Sequence, residues 1–295
     1  MYLIMDNHPV NVLKSVMADV IVFFLLSVFD FYTDKIMKPF KRGFFCDDTS
    51  IMYPSLESTV PTVVMNAVEV LVPTLMVFVG EYYHERRNTD RSSSYYFGKY
   101  KIKRYFWSVY QKLVCYGSGV LFTSTITSVG KKTVGRLRPN FIDECKIDMN
   151  SVCANRNYTY SYITEYTCNE DDSVVDGSRV SFPSGHSSAS FYVAVFIVLY
   201  LESRLKTKSS LLKPVIQFLV ILSAWFVALS RIMDNKHHMS DVLCGIIIGS
   251  SVALINTVLV HSIFEDKKTS VTGLLNENCT NGVSLDENDQ LTRRR

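Results

Sequence analysis

Six blocks of apolar residues, each close to the length that crosses a bilayer, constrain this chain more than any other feature. A helix needs about 20 mostly apolar residues to span a hydrocarbon core about 30 Å thick, because each residue rises about 1.5 Å. The blocks run over residues 14–32, 60–82, 106–129, 187–203, 211–230 and 239–262. They predict an all-α fold, a six-transmembrane helical bundle. Asp19, Glu69 and Pro73 interrupt the first two blocks and the fourth is short, so a soluble helix competes as the reading of any one block; it does not compete for six. No small-residue cleavage site follows the first block, which therefore reads as a retained anchor rather than a signal peptide.

Basic residues set the expected orientation. The connection after the second block, "HERRNTDRSSSYYFGKYKIKR", and the one after the fourth, with Arg204, Lys206, Lys208 and Lys213, are rich in cations and belong on the cytoplasmic side. Residues 1–13 then form a cytoplasmic N-terminus, 14–265 the six-span domain and 266–295 a polar, disordered cytoplasmic tail. Connections 33–59, 130–186 and 231–238 face outward or into a lumen. The sequon at Asn157 falls there and predicts glycosylation; a second at Asn278 falls in the tail and should stay unmodified. Cys46, Cys145, Cys153 and Cys168 share that outer side, where disulfides are permitted in three pairings, with free thiols as the alternative. A net charge of only +3 argues against a nucleic-acid partner. Gly245-x-x-x-Gly249 allows close helix approach, within the chain or in a homo-oligomer.

Three charged clusters sit at span ends, where anchoring at the interface is the ordinary explanation. They are "GKKTVGRLRPNF" after the third span, "SFPSGHSSAS" before the fourth, and "SRIMDNKHHMSD" between the fifth and sixth. Helix parity places all three on one face of the membrane. Their chemistry suits a phosphate: Lys131, Arg138 and Arg231 supply fixed charge, and Ser184 and Gly185 precede a helix start that favours anions. His237 and Asp241 are four apart, so on a continuous helical turn the carboxylate would orient the ring; His238 and Asp234 compete for those roles. His186 supplies a second proton-handling group. Zinc would need further close ligands, and the surrounding cations would repel it, so no metal site is expected.

These residues resemble the type 2 phosphatidic acid phosphatase superfamily. Its tripartite signature is matched by "KKTVGRLRP" (131–139), "PSGH" (183–186) and "SRIMDNKHHMSD" (230–241), in order and spacing, and "KRGFFCDDTSIMYP" resembles a segment of the animal lipid phosphate phosphatases. The resemblance implies a membrane enzyme working without metal or other cofactor on a phospholipid or sphingolipid phosphate: phosphatidate, lysophosphatidate, sphingosine 1-phosphate or ceramide 1-phosphate. It implies His237 as nucleophile, Asp241 as its orienting carboxylate and His186 as proton donor and then base. Lys131, Arg138, Ser184, Gly185 and Arg231 would hold the phosphate. Such an enzyme fits the plasma membrane with an outward site, or an internal membrane with a lumenal one. Met233, Asn235 and Met239 depart from the forms usual in the third motif. A phosphatase for a soluble lumenal ester, a non-catalytic lipid-binding relative, and a transporter using Asp19 and Glu69 are the competing functions.

Overall fold

Each apolar block forms a helix in the computed structural model, which describes residues 10–87, 95–153, 162–205 and 207–259. The helices are α1 (Leu13–Phe31), α2 (Thr62–Arg87), α3 (Arg104–Val134), α4 (Phe141–Cys145), α5 (Met149–Cys153), α6 (Asp172–Ser178), α7 (Gly185–Arg204), α8 (Leu212–Met233) and α9 (Met239–Leu259). Six are long and apolar enough to cross a membrane: α1 with its π-helical extension to Ile36, α2, α3, α7, α8 and α9. Asn157, Asn278 and the tail from 266 lie outside the described residues.

α7 is the centre of the bundle and packs against α2, α3 and α8. Phe191, Tyr192, Phe196, Ile197 and Tyr200 are buried along it, whereas Phe24, Leu25 and Val28 of α1 are exposed as lipid-facing residues would be. Tyr192 donates to the Tyr116 carbonyl at 2.6 Å, and a Cβ at Gly119 would come within 2.2 Å of the Tyr192 hydroxyl. Small residues therefore let α3 and α7 meet at backbone distance. The Gly245 and Gly249 pair does the same for α9: added Cβ atoms would lie 2.5 Å from the Ser184 carbonyl and 2.1 Å from that of Ser188. The motif is consumed by packing inside the chain and lends no support to self-association.

α3 runs about a turn beyond its apolar block. Lys131 and Lys132 occupy its last turn, where cations complement the helix dipole, and Gly135 ends it in the left-handed region at φ +57. A Cβ there would lie 2.0 Å from the Phe40 carbonyl oxygen. Lys131 thus projects from a rigid helix rather than from a loop.

At this end of the bundle the connections fold into a cap. Its core is Phe44, Ile51, Leu137, Phe141, Cys145, Ile147 and Val175. Among the three pairings, the structure has Cys46–Cys153 and Cys145–Cys168, and short strands β2 (Phe44–Phe45) and β5 (Tyr162–Ile163) pair antiparallel beside them. Arg179 packs under the cap with its guanidinium over Phe141 and Tyr166, donating to the Tyr166 hydroxyl at 2.6 Å. At the opposite end, β1 (Val10–Asn11), β3 (Tyr95–Phe97) and β4 (Tyr100–Ile102) form a small sheet, with β1 parallel to β3 and β4 antiparallel to it.

Candidate active site

The three motifs meet beneath the cap. A Cβ at Gly130 would lie 2.8 Å from Pro183, and the Thr127 and Ser188 hydroxyls share a hydrogen bond of 3.0 Å, so the end of α3 rests on the start of α7. A Cβ at Gly185 would lie 2.9 Å from Lys131 Nζ; the missing side chain leaves room for the ammonium. Across the second seam, Ser184 N–H donates to the Asp241 carbonyl at 3.0 Å and Ser181 N–H to that of Arg136 at 3.0 Å. Lys131, Arg138 and His186 all lie near enough to His237 for their charges to act on its ring, and Arg231, Lys131 and Arg138 act likewise on His186.

His237 sits in the turn before α9, buried, with its Nδ1 2.6 Å from the Ser181 carbonyl. A carbonyl can only accept, so Nδ1 carries the proton and Nε2 keeps its lone pair. Burial, then the positive charges of Arg138 and Lys131, hold the ring's pKa well below the usual histidine value, against a smaller upward pull from the Ser181 hydrogen bond. The neighbouring His238 does not compete, because its Nε2 is 3.1 Å from the Leu137 carbonyl.

The expected contact between Asp241 and His237 is absent. α9 begins at Met239, so the two are not joined by a continuous helical turn and the four-residue spacing does not put them face to face. Asp241 is fully buried and accepts instead from Arg136 Nη1 at 2.5 Å, the Ser181 hydroxyl at 2.6 Å and the His238 N–H at 3.0 Å. Ser181 is the bridge: its hydroxyl donates to Asp241 and its carbonyl accepts the hydrogen bond from His237 Nδ1. Neither Ser181 nor Arg136 carried a sequence signal of that role beyond lying near the motifs.

The remaining residues divide by how much of their hydrogen bonding is used. Ser184 caps α7, its oxygen accepting from Ser187 N–H at 3.4 Å and the Ser187 hydroxyl at 2.9 Å. The first N–H groups of α7, at Gly185 and His186, have no intrahelical acceptor and so remain for an anion. Arg138 Nε and His186 Nε2 are buried with no partner among the described residues. Burial and the nearby Arg231 hold the Arg138 guanidinium down to about 10, against upward pulls from Glu144 and Asp241, which leaves it charged at neutral pH. Arg231 is more engaged than its expected role required. It is buried and paired with Asp234, which in turn accepts from the Thr59 N–H at 2.9 Å and hydroxyl at 2.6 Å. This clasp ties the connection after α1 to the third motif.

One of the three unusual residues has a structural explanation. Asn235 adopts φ +53, a conformation asparagine tolerates, and donates to the Pro54 carbonyl at 3.0 Å. Met233 and Met239 are exposed, and nothing in the structure explains their choice over other apolar residues. Asp19 accepts from the Tyr110 hydroxyl at 2.8 Å. It is therefore an interhelical partner within the bundle rather than part of a pathway.

The pH dependence of kcat/KM follows from these charges. If His237 is the nucleophile that the motif implies, its ring must be neutral to attack, and its depressed pKa would place the acid limb below about pH 6.5, the ordinary histidine value. Arg138→Gln removes a positive neighbour, so the His237 pKa rises and the acid limb should move upward; a limb that stays put would disconnect the two groups. Stability carries the same sign. The contribution of neutral His237 is present above about pH 6.5 and is lost as pH falls toward its folded value.

Comparison with known proteins agrees with the converging motifs. The profile of the PAP2 superfamily matches residues 112–265. A Drosophila melanogaster protein named "Putative phosphatidate phosphatase" is 36% identical over 262 residues, which cover 85% of this chain and 66% of that one. Mouse "Phospholipid phosphatase 1" is 34% identical over 77% of this chain and 78% of its own length. Human "Phospholipid phosphatase 2" is 35% identical over 77% of this chain and 76% of its own. No solved structure matches. With the profile spanning more than half of the chain and these relatives aligned along most of it, this chain belongs to the PAP2 superfamily, in the branch of the multi-pass phospholipid phosphatases.

Proposed function

We propose that this protein is a metal-independent lipid phosphate phosphatase that works through a phosphohistidine. The observation that carries the reading is the meeting of Lys131, Arg138 and His186 around a neutral His237 whose proton is fixed on Nδ1. His237 Nε2 attacks phosphorus and the bond from phosphorus to the lipid oxygen breaks. His186, protonated while the substrate's phosphate dianion lies beside it, gives its proton to that oxygen as the imidazolium becomes neutral, and the lipid alcohol leaves. His186 then takes a proton from water, whose oxygen attacks the phosphohistidine; inorganic phosphate departs and His237 is regenerated. Lys131, Arg138, Arg231 and the first N–H groups of α7 hold the phosphoryl oxygens, where charge builds in the transition state; each such donor is worth about 3–4 kcal/mol. Fixed cations fill the place a divalent ion would otherwise take.

A lipid substrate is favoured over a soluble ester by what lies beside the site. A cavity of about 420 Å³ starts at Val60, whose backbone is a neighbour of the His186 ring. It continues between α2, α7 and α8, walled by Val64, Val68, Val193, Ile197 and Ala224. From Ala189 to Ile197 the helix rises about 12 Å, enough to take the upper part of an acyl chain. With two disulfides in the cap and the cationic connections at the other end, the site opens on the outer or lumenal face.

The test is phosphate release by purified protein in EDTA, measured on phosphatidate, lysophosphatidate, sphingosine 1-phosphate, ceramide 1-phosphate, a hexose phosphate and a small aryl phosphate. Turnover of the lipids above the hexose phosphate, undiminished by chelation, is the expected result. Activity that vanished with EDTA and returned with magnesium would overturn the mechanism. Val64→Trp, at an exposed position of the groove wall, should lower kcat/KM for long-chain lipid about tenfold and leave the aryl phosphate unchanged. Equal losses on both would remove the groove from the substrate.

A further inference from the structure

The connection between α1 and α2 contains none of the three motifs, yet it fastens to each of them. Tyr53 N–H donates to the Pro139 carbonyl at 2.9 Å, at the end of the first motif, and the Pro54 carbonyl accepts from Asn235 in the third at 3.0 Å. The Ser55 hydroxyl donates to Glu144 at 2.6 Å and accepts from Asn140 at 3.1 Å and Lys236 at 3.2 Å. The last residues of the connection reach the catalytic groups. Ser58 Oγ is 3.5 Å from Arg231 Nη1, Thr59 bonds Asp234, and the Val60 backbone lies against the His186 ring of the second motif. Residues 53–60 are thus a strap anchored at several points that ends inside the site.

Asp234 shows what the strap does there. It stands at the C-terminal end of α8, where the helix dipole disfavours a carboxylate, and it is buried. Helix stability therefore does not account for an acid at this place. Both of its oxygens are engaged: one by the Thr59 hydroxyl at 2.6 Å, the other by the Thr59 N–H at 2.9 Å and by Arg231 Nη2. A bare carboxylate beside a phosphate would repel it; one whose lone pairs are spent on Thr59 and Arg231 faces the guanidinium instead. Arg231 is held along one edge in turn. Its Nε and Nη2 each lie 3.3 Å from the Ser230 hydroxyl, and Nη2 also donates to Asp234. That fixes the guanidinium plane and leaves Nη1, whose contact with Ser58 is at the outer limit of a hydrogen bond, as the corner with most to give. The charge of Arg231 acts on both His186 and Arg138, so this corner belongs to the cluster around His237.

We propose that Thr59 and Asp234 are positioning residues of the hydrolysis: Thr59 holds the Asp234 carboxylate, which orients Arg231 so that its Nη1 meets an oxygen of the phosphoryl group in transfer. The inference rests on the phosphatase reading and adds to it a fourth segment of chain that the three motifs leave out. Neither residue touches the substrate. Both act through a donor aimed at developing charge, and such a donor loses its effect with a small displacement, because its bond is strongest in the transition state.

Orthovanadate, which adopts the five-coordinate geometry of phosphorus in transfer, is the probe. Its inhibition constant against hydrolysis of the aryl phosphate is measured on the full chain in detergent, beside kcat and KM for lipid. An inhibition constant does not depend on how much of a preparation is active, so a loss of folded enzyme leaves it unmoved. Thr59→Val removes one hydrogen bond to a charged group; it should raise the constant about tenfold and lower kcat by a similar factor, with KM changed less than about twofold. Thr59 is exposed, so the fold has room for valine. Thr59→Ser keeps the hydroxyl and should behave as wild type. Ser55→Ala loosens the same strap away from Arg231 and should leave the constant where it is, whatever happens to the melting temperature. In an Arg231→Gln background, Thr59→Val should cost less than about twofold further. The positioning role is overturned if vanadate inhibits wild type and Thr59→Val alike, if Thr59→Ser loses as much as Thr59→Val, if Ser55→Ala raises the constant as far, or if the full loss persists without Arg231. Each of these outcomes leaves the catalytic reading standing, whereas a wild type indifferent to vanadate would count against both.

Discussion

His237→Ala should lower kcat for lipid phosphate hydrolysis about 10⁴-fold or more, the scale on which loss of a nucleophile is felt when the rest of a site is intact. The residue lies in a turn rather than in the packed bundle, so the fold should survive its truncation. Binding should survive too, because Lys131 and Arg138 remain, and KM should change much less than kcat. His238→Ala is the control. Its ring is spent on the Leu137 carbonyl, and its removal should cost a small factor in rate with a modest loss of stability. A second measurement separates nucleophile from bystander: in His186→Ala an aryl phosphate, whose leaving group needs no proton, should still phosphorylate His237. Water then lacks its base, so an acid-labile phosphohistidine should accumulate. Near-normal turnover by His237→Ala would remove it as nucleophile, whatever else in the site held.

The parts of this molecule written locally in the chain were legible before any coordinates. Apolar block length yields all six long helices. The reason is that a span must be about 20 residues long whatever surrounds it. Motif order and helix parity bring Lys131, His186 and His237 to one end of the bundle, and the four outer cysteines pair there. What escaped was decided by contacts between distant segments. Which carbonyl accepts the hydrogen bond from His237 Nδ1 is a backbone matter, and Ser181 could have been almost any residue to supply it; only its hydroxyl, held by Asp241, is specific. The clasp from Thr59 through Asp234 to Arg231 joins residues more than 170 apart, and no spacing rule announces it. Gly245 and Gly249 were legible as a place of close approach, but their partner, α7 of the same chain, was not.

Asp241→Ala carries the second large effect, and it distinguishes two ways of orienting an imidazole. Direct contact, the arrangement the spacing first suggested, would make Ser181→Ala nearly silent. The observed arrangement runs through Ser181, so both substitutions should slow the reaction: about 10²-fold for Asp241→Ala, and about tenfold for Ser181→Ala, which keeps the carbonyl but frees the backbone that carries it. Asp241→Ala also strips three donors of their acceptor: the Ser181 hydroxyl, the His238 N–H and Arg136. Unsatisfied buried donors cost about 1–3 kcal/mol each. The Arg136 side chain is 31% exposed. It can turn to water and cost little. The variant should therefore melt earlier as well as react more slowly. Since kcat and stability could fall together for trivial reasons, the decisive comparison is the double variant. If Asp241 acts through the Ser181 hydroxyl, adding Ser181→Ala to Asp241→Ala should cost almost nothing further in kcat, because the second change removes a link already broken. Fully additive losses would mean that the carboxylate reaches the ring by another route.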